Sequence, residues 1–229
     1  MTFTFDLVQA VNDWQRGGDA DQKKRAKALK AAAADLPEKF QSTSSRCYRQ
    51  IALKDNGLRH LGNKYKLPEA ISAWTKSEEV AKQFKDGVPP KEWQGVIFAI
   101  EPDNDSVVVD IDALYSDDDF VNAISNFKNK IKGYHSGIDK YGDSQSEVVV
   151  EVSDVPIESM HAWGGYSSQM EQLAKLFFDY LGIDSKDRDT EKFKELISDS
   201  GVELGPHWLT SADAVERVNQ RLKELARRI

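Results

Sequence analysis

The chain has 229 residues, of which 40% are hydrophobic and 30% charged, and its formal net charge is −7. This composition is typical of a globular protein with a sizeable core, and no apolar run approaches the roughly 20 residues that span a bilayer, so we expect no membrane association. The single cysteine excludes an internal disulfide, and the four histidines lack metal-ligand spacing, so we expect no metal site.

The amino-terminal part of the chain lacks a secretory signal and is basic. No basic region is followed there by an apolar stretch and a cleavage site, so a cytoplasmic protein is expected. Residues 1–66 carry 13 Lys or Arg against 7 Asp or Glu, whereas the rest of the chain carries 18 against 31. A basic amino-terminal third suits an anionic ligand or a nucleic acid. The alternative is a solvated helix face, because five of the basic residues fall within one predicted helix.

Two amphipathic helices are predicted before any strand. The first ends at Gly17-Gly18, and the second is capped by Asp19 and reaches about Leu36. A strand is then expected over residues 45–53, closed by the turn signal at residues 55–57. Ser77 is predicted to cap the next helix, which ends before Gly87.

The middle of the chain predicts strands, one helix and a long loop. Strands are expected over residues 95–101 and 106–111 in hairpin-like succession. Ser116 is predicted to cap a helix that reaches Gly133. A loop over residues 133–144 then leads to a valine-rich strand that opens with Gln145-Ser146-Glu147.

The remainder of the chain predicts helices only, over residues 167–182, 190–199 and 211–229. The apolar stripe of the last helix is typical of a core face. We therefore expect an α+β protein in which residues 1–165 form a catalytic domain with amino-terminal helices. Residues 166–229 are expected to form a helical extension packed on the same body.

Several common motifs are absent from the sequence. Residues 57–64 have the glycine spacing of a phosphate-binding loop, but Asn63 intrudes before Lys64 and Tyr65 replaces the hydroxyl that holds magnesium. The sequence also contains no nucleophile elbow, no H-E-x-x-H motif and no calcium loop. These absences argue against several hydrolase classes.

Three separated segments carry a more specific pattern. They are Tyr48-Arg49 on the first strand, the segment from Ser72 to Thr75 before a helix of the form V-A-x-x-F, and Gln145-Ser146-Glu147 before the valine strand. In this order, they resemble the Arg-Ser-Glu signature of mono-ADP-ribosyltransferases. The resemblance covers roughly residues 45–165 and implies a core of two packed, mainly antiparallel sheets with flanking helices.

The resemblance implies NAD+ as the substrate and no metal. Cleavage of the nicotinamide–ribose bond builds positive charge on the ribose, and a nearby carboxylate, for which Glu147 is the candidate, stabilises that charge. The guanidinium of Arg49, beside Tyr48, would bind the anionic end of NAD+. A hydroxyl from Ser72 or Thr75 would hold Glu147 or contact the ribose, with Trp74 packed behind. The sequence departs from the family pattern at Ala73, so the identity of this hydroxyl stays open.

The acceptor is expected to be met by Gln145 and Tyr141. Family members with Glu at the position of Gln145 usually modify arginine, whereas Gln occurs in enzymes that modify asparagine or guanine. An amide can donate to and accept from either an amide or a nucleobase edge. Tyr141 would stack on a base or pack against a protein acceptor, and the alternative is a loop tyrosine that covers the core.

The sequence therefore predicts an intracellular mono-ADP-ribosyltransferase, with a nucleobase in RNA or DNA favoured over a protein as acceptor because of the basic amino-terminal third. Because such an enzyme would harm its host, we expect the toxin of a toxin-antitoxin or phage-defence system, restrained by an antitoxin or another neutralising protein. The alternatives are a protein-modifying or phage-encoded transferase with an Asn or Arg acceptor, a NAD glycohydrolase, and an inactive binding module.

Overall fold

The structure is a computed structural model that describes residues 3–18, 21–54, 64–84, 93–167 and 206–227. Between residues 168 and 205, it also describes residues 174, 178–179, 181–184, 188–189, 191–193 and 195. No helix within these ranges is long and apolar enough to cross a membrane.

The two predicted amino-terminal helices are present and pack on each other. Helix α1 (Phe5–Arg16) begins where the Thr4 side chain accepts a hydrogen bond from the backbone N–H of Leu7, and it ends at Gly17, whose φ of 65° suits glycine. Helix α2 (Gln22–Ala33) follows Asp21, and the predicted cap at Asp19 lies outside the described residues. Both helices bury their apolar faces in one core.

Seven strands form one antiparallel sheet, in the order β5-β6-β3-β1-β4-β8-β9. The α+β class predicted from the sequence is therefore confirmed. The strands of this sheet are β1 (Cys47–Lys54), β3 (Ile71–Thr75), β4 (Trp93–Ile100), β5 (Val107–Asp110), β6 (Glu147–Glu151), β8 (Met160–Ser167) and β9 (Pro206–Leu209). Strands β2 (Lys64–Lys66) and β7 (Asp154–Pro156) pair separately as a two-stranded sheet.

A weak seam divides the large sheet into two halves. Among the described residues, β1 pairs with β3 only at Tyr48 and Thr75, whereas β1 pairs with β4 at eight positions. The two halves, β5-β6-β3 and β1-β4-β8-β9, nevertheless share one apolar cluster. We call the face that points into this cluster the inner face. It includes Trp74 and Val148 from one half and Ile51 and Phe98 from the other.

The opposite, outer face is covered by helices. Helices α1, α2, α4 (Ile111–Tyr115) and α5 (Asp118–Phe127) cover the half that contains β6. Helix α3 (Glu78–Gln83) covers the half that contains β1, and Ser77 caps it as predicted, by accepting from the N–H of Val80. Asp117, rather than the predicted Ser116, caps α5. Helix α6 (Ile138–Tyr141) lies within the predicted loop, and α7 (Ala212–Ala226) lies within the last predicted helix.

Two predictions about the strands are wrong. Strands β4 and β5 do not form a hairpin, because β1, β3 and β6 lie between them in the sheet. The chain after residue 165 is not only helical, because β8 continues to Ser167 and pairs with β9. Glycine was the misleading signal in the second case: Gly164 lies opposite Gly95, where an added Cβ would come within 2.5 Å of the Gly164 carbonyl oxygen. Glycine thus permits close approach of two strands here rather than ending one.

Candidate functional site

The three predicted motif segments lie at three adjacent strands, β6, β3 and β1. Thr75 on β3 is directly opposite Glu147 on β6 and also opposite Tyr48 on β1. Directly opposite residues of antiparallel strands project to the same face. Tyr48, Thr75 and Glu147 therefore form a row across the outer face of the sheet.

Glu147 is a buried carboxyl with one hydrogen-bond donor. Its side chain is 5% exposed, and the indole N–H of Trp14 on α1 donates to Oε1 over 2.6 Å. The second oxygen, Oε2, is buried and has no hydrogen-bond partner among the described residues. Burial raises the pKa of Glu147 from 4.5 to about 7, although the hydrogen bond from Trp14 acts in the opposite direction. The group can therefore gain or lose a proton near neutral pH, as general acid–base catalysis requires, and its ionised form can stabilise a nearby positive charge.

A polar network next to Glu147 joins α1 to the turn before β6. The amide of Gln15 donates to the carbonyl of Gly142 over 2.8 Å and accepts from the hydroxyl of Tyr115 over 3.0 Å. Burial raises the pKa of Tyr115, and the charge of Glu147 adds to this effect. The sequence analysis assigned no functional role to Trp14, Gln15 or Tyr115. The signal that could have been used is polarity, since Asn12 and Gln15 are polar residues on the face of α1 that is buried, with exposures of 0% and 8%.

Thr75 connects β3 to the turn that carries Glu147. Its hydroxyl donates to the carbonyl of Gln145 over 2.7 Å and accepts from the N–H of Ser77 over 3.0 Å. Ser72, the other candidate hydroxyl, is 1% exposed and accepts from the indole N–H of Trp74 over 3.1 Å. Because Trp74 belongs to the inner cluster, this pair lies on the face opposite Glu147. Thr75 is thus the candidate hydroxyl on the same face as Glu147.

The prediction that the valine-rich strand opens with Gln145 is wrong, so Gln145 and Glu147 do not lie side by side on one strand face. Strand β6 begins at Glu147, and Gln145 lies in the preceding turn. Ser146 between them has a φ of 41°, in the left-handed region, so strand alternation does not extend back to Gln145. Gln145 is half-buried at the edge of the row. Tyr141 ends α6 and is half-buried, with the ammonium of Lys140 5.0 Å from its ring centre.

Arg49 lies on the inner face and is not brought together with Glu147. Its Nη2 is 2.5 Å from Oε2 of Glu69, while its Nη1 is buried without a hydrogen-bond partner among the described residues. Burial lowers the pKa of Arg49, and Glu69 partly offsets this by stabilising the charged form. Strand alternation explains the separation, because Arg49 follows Tyr48 by one position and Tyr48 belongs to the outer row.

A second polar cluster lies at the end of β3. Lys76 Nζ is 2.7 Å from Oδ2 of Asp110 and 2.9 Å from Oδ2 of Asp112. Lys76 and Asp110 line a cavity of about 450 Å³ whose other lining residues are Ser42, Thr43, Ser44, Ser45 and Asn104. Nearby, burial and then the charge of Asp110 raise the pKa of Cys47 to about 12, so its thiol stays protonated.

No protein-family model, curated protein or solved structure matches this chain. Within the described residues, no group of three or more His, Cys, Asp or Glu side chains is placed to hold a metal ion.

Proposed function

We propose that this protein is a NAD+-dependent mono-ADP-ribosyltransferase. The observation that carries the proposal is the outer-face row, in which residues from all three predicted motif segments meet on adjacent strands. Segments separated by many residues in the chain thus contribute Tyr48, Thr75 and Glu147 to one line of side chains. A buried carboxyl with a pKa of about 7 stands at the end of this line.

Glu147 is the proposed catalytic residue. In the reaction, the bond between the ribose C1′ and the nicotinamide nitrogen breaks, and nicotinamide leaves with the bonding electron pair. The acceptor then forms a bond to C1′ and loses a proton to solvent or to a base. The ionised Glu147 carboxylate stabilises the positive charge that builds up on the ribose between these events. In a buried site with few competing dipoles, this stabilisation is stronger than it would be in water.

The anionic end of NAD+ requires a cation. The sequence's candidate, Arg49, lies on the face of the sheet opposite Glu147, so its part in binding the diphosphate is a separate proposal that needs its own mutational test. Its pairing with Glu69 means that the diphosphate must compete with a carboxylate for the guanidinium. Arg46 is exposed and immediately precedes β1, so it is the natural comparison in a mutational test. If Arg49 binds the diphosphate, its loss raises the KM of the folded protein for NAD+, whereas a purely structural Arg49 affects the stability of the fold and leaves that KM unchanged.

For the acceptor, we propose a nucleobase in RNA or DNA. The proposal is supported by the half-buried amide of Gln145 in the turn beside Glu147 and by the excess of Lys and Arg in residues 1–66. The biological role that we propose is that of a toxin in a toxin-antitoxin or phage-defence system, held inactive by a neutralising protein. This role follows from the harm that an unrestrained NAD+-consuming enzyme does to its own cell.

Labelled NAD+ and two matched variants test the catalytic proposal. Glu147→Gln removes the charge at the site, and Glu151→Gln removes a charge on the same strand and the same face, where the exposed Glu151 pairs with Lys30. We expect the first variant to lose at least about 100-fold of its turnover, as for other transition-state charge interactions, and the second to match the parent. A Glu147→Gln variant as active as the parent contradicts the proposal.

The products separate the remaining possibilities. Incubation of the parent with labelled NAD+ and a cell lysate, followed by RNase, DNase or protease, identifies the acceptor. Label that nucleases release supports a nucleic-acid acceptor, and label that only protease releases identifies a protein acceptor. Free ADP-ribose formed at high turnover from NAD+ alone identifies a glycohydrolase. If Glu147→Gln acts in cells like the parent, the protein is a binding module.

A further inference from the structure

The contact between Trp14 and Glu147 joins two residues that are 133 positions apart in the chain. Trp14 lies in the last turn of α1, is 9% exposed, and packs in the same core as Val149 of β6. Its indole N–H can donate one hydrogen bond, and it donates that bond to Oε1 of Glu147 over 2.6 Å. The rigid ring therefore holds one carboxyl oxygen in a fixed place.

The choice of partner is chemically informative. A buried carboxylate that serves only stability is usually paired with a cation, which favours its charged form. An indole N–H is neutral and donates a single hydrogen bond, so it orients the carboxyl without neutralising it. Oε2 is left buried and without a partner among the described residues. One oxygen is thus fixed, and the other makes no hydrogen bond to the described residues.

We propose that Trp14 is a positioning residue for Glu147, whose indole N–H fixes Oε1 so that Oε2 is the oxygen presented to the substrate. The proposal rests on the proposed function, in which Glu147 faces the reacting ribose. It adds that α1, which lies outside the three motif segments, supplies part of the site. The same hydrogen bond favours the ionised form of Glu147.

The groups around Glu147 leave Trp14 as the side chain that donates to it. Thr75 on β3 directs its hydroxyl to the carbonyl of Gln145, and Tyr115 on α4 directs its hydroxyl to Gln15. The nearby charges on α1, Asp13 and Arg16, pair with each other at the partly exposed surface. Asp143 lies in the turn before β6, and its charge, like that of Glu147, raises the pKa of Tyr115.

The test replaces Trp14 by Phe, which keeps an aromatic ring and removes the N–H. The pKa of Glu147 is measured by NMR titration of its carboxyl carbon, assigned by its absence in Glu147→Gln. We expect the pKa to rise by about one unit in Trp14→Phe, because a hydrogen bond to a charged group is lost. Trp163→Phe, which removes another buried indole, this time on the inner face, is the control and should leave this pKa unchanged.

Kinetics supply the readout that a merely structural role would not move. We expect the kcat for NAD+ cleavage by Trp14→Phe to fall about tenfold while the KM changes less than about twofold. The rising limb of the pH–rate profile should shift upward by the same amount as the pKa of Glu147. An unchanged pKa, or a shifted pKa with parental kcat, overturns the proposal.

A second measurement needs no variant at Trp14. In the parent, the indole proton of Trp14 should titrate with the same pKa as the Glu147 carboxyl, and an indole proton that ignores this titration overturns the proposal. Failure of the proposed function gives a different result. If the parent never cleaves NAD+ but the two groups titrate together and the pKa of Glu147 rises in Trp14→Phe, the contact is upheld and the transferase assignment fails.

Discussion

The inner and outer faces of the sheet each hold a buried carboxyl, and only the one on the inner face is paired with a cation. Asp110 on β5 is 2% exposed, pairs with Lys76 at 2.7 Å, and caps α4 by accepting from the N–H of Ala113 over 2.9 Å. Glu147 on β6 is 5% exposed and receives a single hydrogen bond from a neutral indole. Two neighbouring strands thus carry one compensated and one uncompensated carboxyl.

The difference indicates a structural role for Asp110 and agrees with the chemical role that we propose for Glu147. Burial raises the pKa of both carboxyls, but Lys76 and the N–H of Ala113 oppose this effect at Asp110, whereas only Trp14 opposes it at Glu147. A group that is buried without a counter-charge destabilises the fold when it ionises. Retention of such a group at the end of the outer-face row favours a role in chemistry.

The largest expected effect is the loss of stability when Asp110 loses its cationic partner, Lys76. Lys76→Met should lower the free energy of unfolding by about 3–5 kcal/mol, because it leaves Asp110 buried without its cation. Urea denaturation at neutral pH measures this loss. Lys39→Met is the control, since Lys39 pairs with Asp117 at 2.7 Å but is 63% exposed, and its removal should cost less than about 1 kcal/mol. A Lys76→Met variant as stable as the Lys39 variant would remove the distinction between the two carboxyls.

Removal of the charge of Glu147, which has no cationic partner, is expected to stabilise the fold rather than destabilise it. The pKa of Glu147 is about 7 in the folded state and 4.5 in the unfolded chain, so the folded state binds the proton more tightly. The free energy of unfolding should therefore fall as the pH rises from about 4.5 to about 7. Glu147→Gln cannot ionise, so above about pH 7 it should be more stable than the parent by up to about 3 kcal/mol. Below about pH 4, this advantage should be absent.

The same denaturation experiment, repeated across this pH range on parent and variant, checks the prediction. Glu151→Gln serves as the control, because Glu151 is exposed on the same strand, and its difference from the parent should vary much less with pH. A constant difference between Glu147→Gln and the parent at all pH values would show that Glu147 keeps an ordinary pKa.

The smallest expected effect concerns Arg49. Arg49→Met should destabilise the fold by about 1–2 kcal/mol, because Glu69 loses its partner at a site that is partly exposed. Arg49→Met combined with Glu69→Gln should recover most of this loss, since no charge is then left unpaired. Thermal unfolding of the single and double variants measures the coupling. Additive losses in the double variant would show that the pair contributes nothing to the fold.

The local parts of the structure could be predicted from the sequence, and the distant pairings could not. Gly17 and Ser77 end and begin helices through short-range hydrogen bonds that the residue types themselves supply. The face that each strand residue occupies depends on register, and a shift of one position reverses it. Arg49 and Gln145 were predicted to act in one site with Glu147 without that information.

The contact between Trp14 and Glu147 could not be predicted from the sequence, for a different reason. Trp14 has the spacing of a core residue of α1, and nothing local indicates that its N–H meets a carboxyl from the far end of the domain. The strand β9 was missed for a related reason, because its four residues become a strand by pairing with β8. Tertiary contacts decide both features.

The seam between β1 and β3 is the place where the two halves of the sheet are least connected. Among the residues that the structure describes, separation of β1 from β4 would break eight residue pairs, whereas separation of β1 from β3 would break one, between Tyr48 and Thr75. A small rotation of one half of the sheet relative to the other would change the distance from Tyr48 to Glu147. The strand pairings within each half would stay intact. The row of candidate residues therefore crosses the boundary with the fewest paired residues in the described part of the sheet, where the least strand pairing opposes a change in the angle between the two halves.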